Sequence, residues 1–217
     1  MAEMTLNIKK THSERLMPLL GQMLTESSIE REEIEAVAAA AGPGSFTGLR
    51  IGVSTARALA QALNIPAVPV CTLQAMAEAV PTTGTLVCPI LDARRNQVYT
   101  ALFNRSTEAP YNLETLIAPT ALDLHELIEA LKSFDQPVIF LGEGLHTFTR
   151  TLTEKLPTTQ IAPAPFRLCR AALVAHRAQR ILHEKPNASY LELLPYYLRR
   201  PEAERLAEER QRQGGAG

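Results

Sequence analysis

Tryptophan is absent from the sequence, and aromatic residues make up only 5% of it. Cysteine is scarce: Cys71, Cys88 and Cys169 are far apart, odd in number and form no CxxC pair. That pattern excludes a disulfide framework and a cysteine-based zinc knuckle, and leaves buried, reduced thiols as the expectation. Charge of one sign is also missing. The 22 Lys and Arg balance 23 Asp and Glu for a net charge of −1, so no overall field concentrates the chain on phosphate backbones or anionic lipid. Contact with nucleic acid must then be local or made by a partner. No apolar run reaches the ~18 residues of a membrane helix. Residues 1–7 carry charge early and lack the apolar core of a secretory leader, so the expected location is the cytoplasm. What is present, 46% apolar and 21% charged residues in a chain of 217, suits one large domain or two lobes.

Along the chain, residues 5–8 alternate polar and apolar and predict a short strand. Thr11 and Glu14 form a capping-box pattern ahead of Leu16, Leu19, Leu20 and Met23, which recur at helical spacing. Ser27 or Ser28 would cap a second short helix holding Ile34. Residues 37–41 are small and apolar without alternation, a strand buried on both faces. They run into Gly42-Pro43-Gly44-Ser45-Phe46-Thr47-Gly48, a sharp turn feeding a helix to about residue 63, where Asn64 and Pro66 stop it. A buried strand at 67–70 and a helix at 72–80 complete an α/β rhythm with parallel pairing. Residues 81–84 read as a hinge. Beyond it, strands at 86–91 and 97–103 flank the polar turn 92–96 as an antiparallel hairpin. A strand at 115–118, a helix at 121–131, a strand at 138–141 and helices at 147–156 and 171–182 follow. Three units are expected: 1–83 as a first lobe, 84–200 as a second, and 201–217 as a charged tail.

The turn at 42–48 resembles loops that aim backbone N–H groups at an anion. It lacks the Gly-Lys-Ser/Thr ending of a P-loop, so it offers no lysine for a terminal phosphate and no hydroxyl for magnesium. Spacing alone favours a tight structural turn, with Gly42, Gly44 and Ser45 as the weak candidates for binding a cofactor. Gly44, Gly48, Gly52, Ala56 and Ala60 follow at strict four-residue spacing, a ridge that lets a neighbour approach closely. Glycine within a helix costs about 1 kcal/mol relative to alanine, so some packing must offset Gly48 and Gly52. That neighbour is either the protein's own sheet or another subunit, and spacing does not choose between them. The five histidines contain no HxxxH pair for a metal, and Ser45 is not in a GxSxG elbow. Asp92 suits an Asx-type role in its turn, and Tyr196 and Tyr197 are expected to pack against the lobe.

The block Ala41-Gly42-Pro43-Gly44-Ser45-Phe46-Thr47-Gly48-Leu49-Arg50-Ile51-Gly52 resembles the signature of the TsaB (YeaZ) family. His12-Ser13-Glu14-Arg15-Leu16, Leu91-Asp92-Ala93-Arg94-Arg95 and Pro195-Tyr196-Tyr197-Leu198-Arg199 match in the same order across nearly the whole chain. The resemblance implies an α/β actin-like (ASKHA, ribonuclease H-like) two-lobe fold and a paralogue of the catalytic TsaD subunit that has lost catalysis. It implies pairing with a TsaD-like subunit, or with a second copy, through the first-lobe helices. Carried onto this chain, the interface falls on His12, Leu16, Leu20, Gly48, Gly52, Ala56 and Ala60. The implied work, shared with a TsaE-like ATPase and a threonylcarbamoyl-AMP synthase, is modification of adenosine 37 in tRNAs reading ANN codons, with tRNA met only indirectly. No cofactor is implied for the chain alone, and ADP or ATP would belong to a site shared with TsaD. No metal site and no peptidase activity are expected. The competing reading is an ASKHA-type ATPase or phosphotransferase using the 42–48 turn.

Family chains usually open on a strand like Ile-Leu-Ala-Ile-Asp-Thr-Ser with a hairpin partner. Here Met1 falls where the third strand would start, so the expected first lobe lacks its N-terminal β-hairpin, with a start codon assigned too late as the expected cause. That hairpin carries the first phosphate loop of actin-like folds, which argues against nucleotide binding by this chain alone.

Overall fold

The computed structural model describes residues 2–6, 12–81, 84–105 and 113–199, the side chains of residues 12 and 13 excepted. Alanine is a poor strand former, yet the alanine run forms β1 (Val37–Gly42), paired in parallel with β2 (Ala67–Cys71). The pair persists because helices cover both faces. Val37 and Ala39 turn toward α2 (Phe46–Leu63), where Val53, Ala56, Ala60 and Ala67 form one cluster. Ala38 and Ala40 turn the other way, with Val68 and Val70, onto Val174 and Ala178 of α6 (Ala171–Glu184). Methyl side chains on both faces let two helices come close, where dispersion contacts accumulate. Among the described residues this first sheet holds two strands.

Local signals set the helix ends. Ser45 accepts a hydrogen bond from Gly48 N at 3.4 Å to cap α2, and Asn64 closes it in the left-handed conformation at φ 54°. A first helix, α1 (His12–Ser27), lies against α2, and α3 (Thr72–Glu78) leaves β2 with no loop between them.

The second sheet has the order β5-β4-β3-β6-β7. Its strands β3 (Leu86–Asp92), β4 (Gln97–Arg105) and β5 (Leu113–Asp123) form an antiparallel meander, and β6 (Val138–Leu141) and β7 (Gln160–Ile161) extend it in parallel from β3. On one face lie α4 (Leu124–Leu131) and α5 (Leu145–Lys155), whose Leu127, Leu131, Phe148 and Leu152 pack on Leu86, Cys88, Ile90 and Phe140. The other face receives α3, through Leu73, Met76, Ala77 and Val80 against Val87, Phe103 and Leu141. Strand β3 thus alternates its neighbours residue by residue, as a strand covered on both sides must.

Several elements differ from the sequence reading. Residues 5 and 6 adopt no regular structure, and residues 7 and 8 lie outside the described residues, as do part of the 81–84 hinge and the tail 201–217. Ile34 sits after a single 3-10 turn (Arg31–Glu33), not inside a helix. Strand β5 runs through residue 123 because Asp123 caps α4, accepting from His125 N at 2.8 Å and donating its own N–H to Glu126. That is a reciprocal capping box, and it moves the helix start past residue 121. In space, α6 and the segment after it belong to the first lobe, although they follow residue 84. Ala67 N donates to Ala188 O at 3.1 Å, Leu193 is buried among Val53, Ala56 and Ala60, and Tyr196 N donates to Ala41 O at 2.7 Å. Residues 186–199 are a strap laid back over the first lobe. At the other end of the chain, Glu3 pairs with Arg170 and accepts from Ala172 N at 3.0 Å, placing a carboxylate at the N-terminus of α6.

All three thiols are free; Cys88 is buried, while Cys71 and Cys169 are half-buried. Burial pushes the Cys88 thiol up to about 12 and Cys169 up to about 11. Because the thiolate is the nucleophile, iodoacetamide at pH 8 should leave both largely unmodified in the folded chain and alkylate them after unfolding in guanidinium. Intact mass measured over time tests this; rapid modification of Cys88 in the folded chain would contradict it.

Candidate functional site

Gly42 ends β1 at φ 134°, a conformation that side chains rarely tolerate. A Cβ at that position would also run into the carbonyl oxygen of Tyr196. The glycine is therefore required by the strap, which crosses β1 where Tyr196 N reaches Ala41 O. Gly42 is buried beneath that crossing. Gly44 and Ser45, by contrast, border a cleft of about 500 Å³ between the lobes. Of the three weak cofactor candidates, the structure brings two to the cleft and assigns the third to packing.

The facing wall is the β3–β4 hairpin tip. Arg94, Arg95 and Asn96 are all left-handed, at φ 67°, 54° and 60°. Asp92 Oδ1 accepts from Arg94 N at 2.7 Å, which is the Asx-type role expected of it. The strap provides the floor. Arg199 donates through Nη1 to Ala93 O, tying strap to hairpin. Tyr197 stacks on Phe46 with ring centroids 4.9 Å apart, and Arg50 lies over the Phe46 ring at 3.9 Å while its Nε donates to the Tyr197 hydroxyl at 3.1 Å. Tyr197 thus packs on Phe46 as expected while staying 37% exposed, and Tyr196 is 51% exposed.

Three polar groups at the cleft are already engaged. The Ser45 hydroxyl is engaged in the α2 cap, Asp92 in its own turn, and Arg199 on a backbone carbonyl. No histidine borders the cleft. Among the described residues no group of three or more His, Cys, Asp or Glu side chains is placed to hold a metal ion. No described helix is long and apolar enough to cross a membrane.

The glycine–alanine ridge divides in two. Ala56 and Ala60 are 5% and 0% exposed, sealed under the strap and against β2 in the chain's own core. This corrects the expectation that those two face another subunit: Leu193 and the first sheet occupy the space. Gly48 and Gly52 are half-buried, and a Cβ added at Gly52 would meet nothing within 4 Å. The first helix, α1, also packs against α2. Leu16 and Leu20 there are half-buried and Met17 is 50% exposed, and no described side chain of α1 is buried. His12 opens α1, but its side chain lies outside the described residues. An amphipathic helix with its apolar stripe half-covered is the second functional feature of the surface. The strap itself was not foreseen as structure; only the pair Tyr196 and Tyr197 hinted at it.

A family model described as TsaD, tRNA N6-adenosine threonylcarbamoyltransferase, matches residues 2–207. The tRNA threonylcarbamoyladenosine biosynthesis protein TsaB of Bacillus subtilis is 35% identical over 204 residues, covering 94% of this chain and 86% of that protein. The chain belongs to the TsaB (YeaZ) family. Haemophilus influenzae TsaB is 28% identical over 198 residues, 88% of this chain and 81% of its own. A solved structure from Pseudomonas aeruginosa, of a protein similar to peptidase YeaZ, superposes with a TM-score of 0.72 at 22% identity, covering 88% of this chain and 86% of that one. At that identity the likeness speaks for the fold, which is the actin-like α/β architecture of TsaB chains.

In this TsaB chain the Gly42–Tyr196 crossing yields a direct test. Gly42→Ala forces a side chain into left-handed backbone and against a carbonyl, so it should cost about 1–3 kcal/mol and displace the strap. Urea denaturation should record a lower midpoint, and exposure of Leu193 should raise dye binding. An unchanged midpoint would mean that the crossing is loose.

Proposed function

We propose that this chain works in tRNA threonylcarbamoyladenosine biosynthesis as a non-catalytic subunit that pairs with a TsaD-like catalytic subunit through α1 and the open end of α2. Two observations carry the reading: the space above Gly52 that no described residue fills, and the half-covered stripe of α1, a helix that packs against α2. A glycine within a helix sacrifices about 1 kcal/mol relative to alanine, and no described residue fills the space that Gly52 leaves. A partner helix seated there would bury Leu16, Leu20 and Met17 at roughly 25 cal/mol per Å² of apolar surface. The curated relatives named TsaB support the pathway; pairing with a second copy and cooperation with a TsaE-like ATPase belong to the same reading. The target is adenosine 37 of tRNAs reading ANN codons, met through the catalytic partner.

An ATPase acting alone is disfavoured on the chemistry of the cleft. Its serine, aspartate and strap arginine are already committed to capping, turn and latch bonds, and the turn at 42–48 carries no lysine. These residues do not make up a phosphoryl-transfer site, so ADP or ATP would need groups from the partner.

Assembly tests the reading. Gly52→Leu and Leu20→Glu should each weaken co-elution with a TsaD-like subunit by about tenfold or more, equivalent to ~1.4 kcal/mol, while leaving the circular dichroism of the isolated chain unchanged and, for Gly52→Leu, its melting temperature no lower. Ala56→Arg should instead unfold the chain, because a buried charge without a partner is not tolerated. Native affinity in both surface variants would overturn the proposed face.

A further inference from the structure

Two-lobed folds commonly close around a ligand by hinge motion, and the cleft here lies between two lobes. The junction beside it is built against such motion. We infer that the lobes of this chain are locked as one rigid body, so that the cleft keeps a fixed width whether or not a nucleotide is present.

Three ties carry this. The first is α3, which serves as a layer common to both lobes. Leu73, Met76 and Ala77 pack on Val87, Phe103 and Leu141 of the second sheet, while Ala75 packs with Val68 and Val70 of the first and with Val174 and Ala178 of α6. The second is a charged clasp at the C-terminal end of α3. Glu78, its side chain 4% exposed, accepts through Oε1 from Arg177 Nη1 at 3.1 Å and Arg180 Nη1 at 3.2 Å, both on α6. Arg105, the last residue of β4, donates through Nη2 to Ala77 O at 3.3 Å and Glu78 O at 3.0 Å. A cation on the final carbonyls of a helix satisfies groups that have no partner within the helix and complements the dipole. The third tie is Arg199, donating to Ala93 O across the mouth of the cleft, on a strap already fixed to the first lobe at Ala41 and Phe46.

The clasp and the latch sit at opposite ends of β4. Nine strand residues separate its termini (Gln97–Arg105), which at about 3.3 Å per residue puts the two ties roughly 26 Å apart. An axis passing through only one of them breaks the other on rotation. An axis along β4, through both, pulls the dry face of α3 off Val87 and Leu141. Every rotation of one lobe against the other therefore breaks hydrogen bonds or exposes apolar surface. This goes beyond the assembly reading and does not depend on it.

Electron–electron dipolar distances test the lock, with genetically encoded spin labels at exposed Gln61 on α2 and Arg150 on α5 so that the native thiols stay untouched. The native chain should give one narrow distance, unchanged by millimolar magnesium ATP. Arg105→Ala combined with Arg199→Ala should broaden it by about twofold, as expected of a junction opened to local fluctuation. Arg199→Ala alone, a change at the chain surface, serves if the double variant does not fold. Two distances in the native chain, a shift on adding nucleotide, or a native width in a folded variant would overturn the lock.

Discussion

The structure depends on the close approach of helices to a strand made of alanine. β1 has no bulk of its own, so α2 and α6 can settle on its two faces, and the strap can pass near enough for Leu193 to be buried among Val53, Ala56 and Ala60. Where the strap crosses the end of β1, only glycine fits, which accounts for Gly42. The conspicuous glycine–proline–glycine turn is therefore first of all a crossing point, with the helix cap of Ser45 immediately after it. Its position at the cleft follows from those constraints.

The same packing explains why half of the small-residue ridge is sealed and half is open. The strap lies along α2 from the region of Ala60 to Phe46, and its fully buried Leu193 fills the space beside Ala56 and Ala60. Over Gly52 no described residue arrives. The proposed partner face is that length of α2 together with the apolar stripe of α1, a helix that packs against α2. The cleft lies between two sheets that share α3 as a common layer, and Ser45, Asp92 and Arg199 at its walls are engaged in a cap, a turn and a latch.

Much of the architecture was legible in the sequence. The unalternating run 37–41 reported a strand covered on both faces, and the polar turn 92–96 between apolar runs reported the hairpin. Asn64 and Pro66 marked the end of α2. What was not legible has physical causes. Four-residue spacing identifies a stripe but not what covers it, so Ala56 and Ala60 could not be told apart from Gly48 and Gly52. The strap has neither helical nor strand period, and its role shows only through Leu193, Tyr196 and Arg199 once the lobes are in place. The return of α6 to the first sheet is a matter of which apolar face is vacant, and local pattern does not encode that. The capping box of Asp123 and Glu126 was present in the sequence and shifts a boundary that apolar periodicity had drawn too early.

Hydrogen exchange on the isolated chain and on its complex with a TsaD-like subunit tests the central claim most directly. Amides of α1 and of residues 46–54 should gain protection on assembly, while residues 56–63 and the strap, outside the proposed face, should stay as they were. Protection confined to the second lobe, or none in α1, would contradict the account.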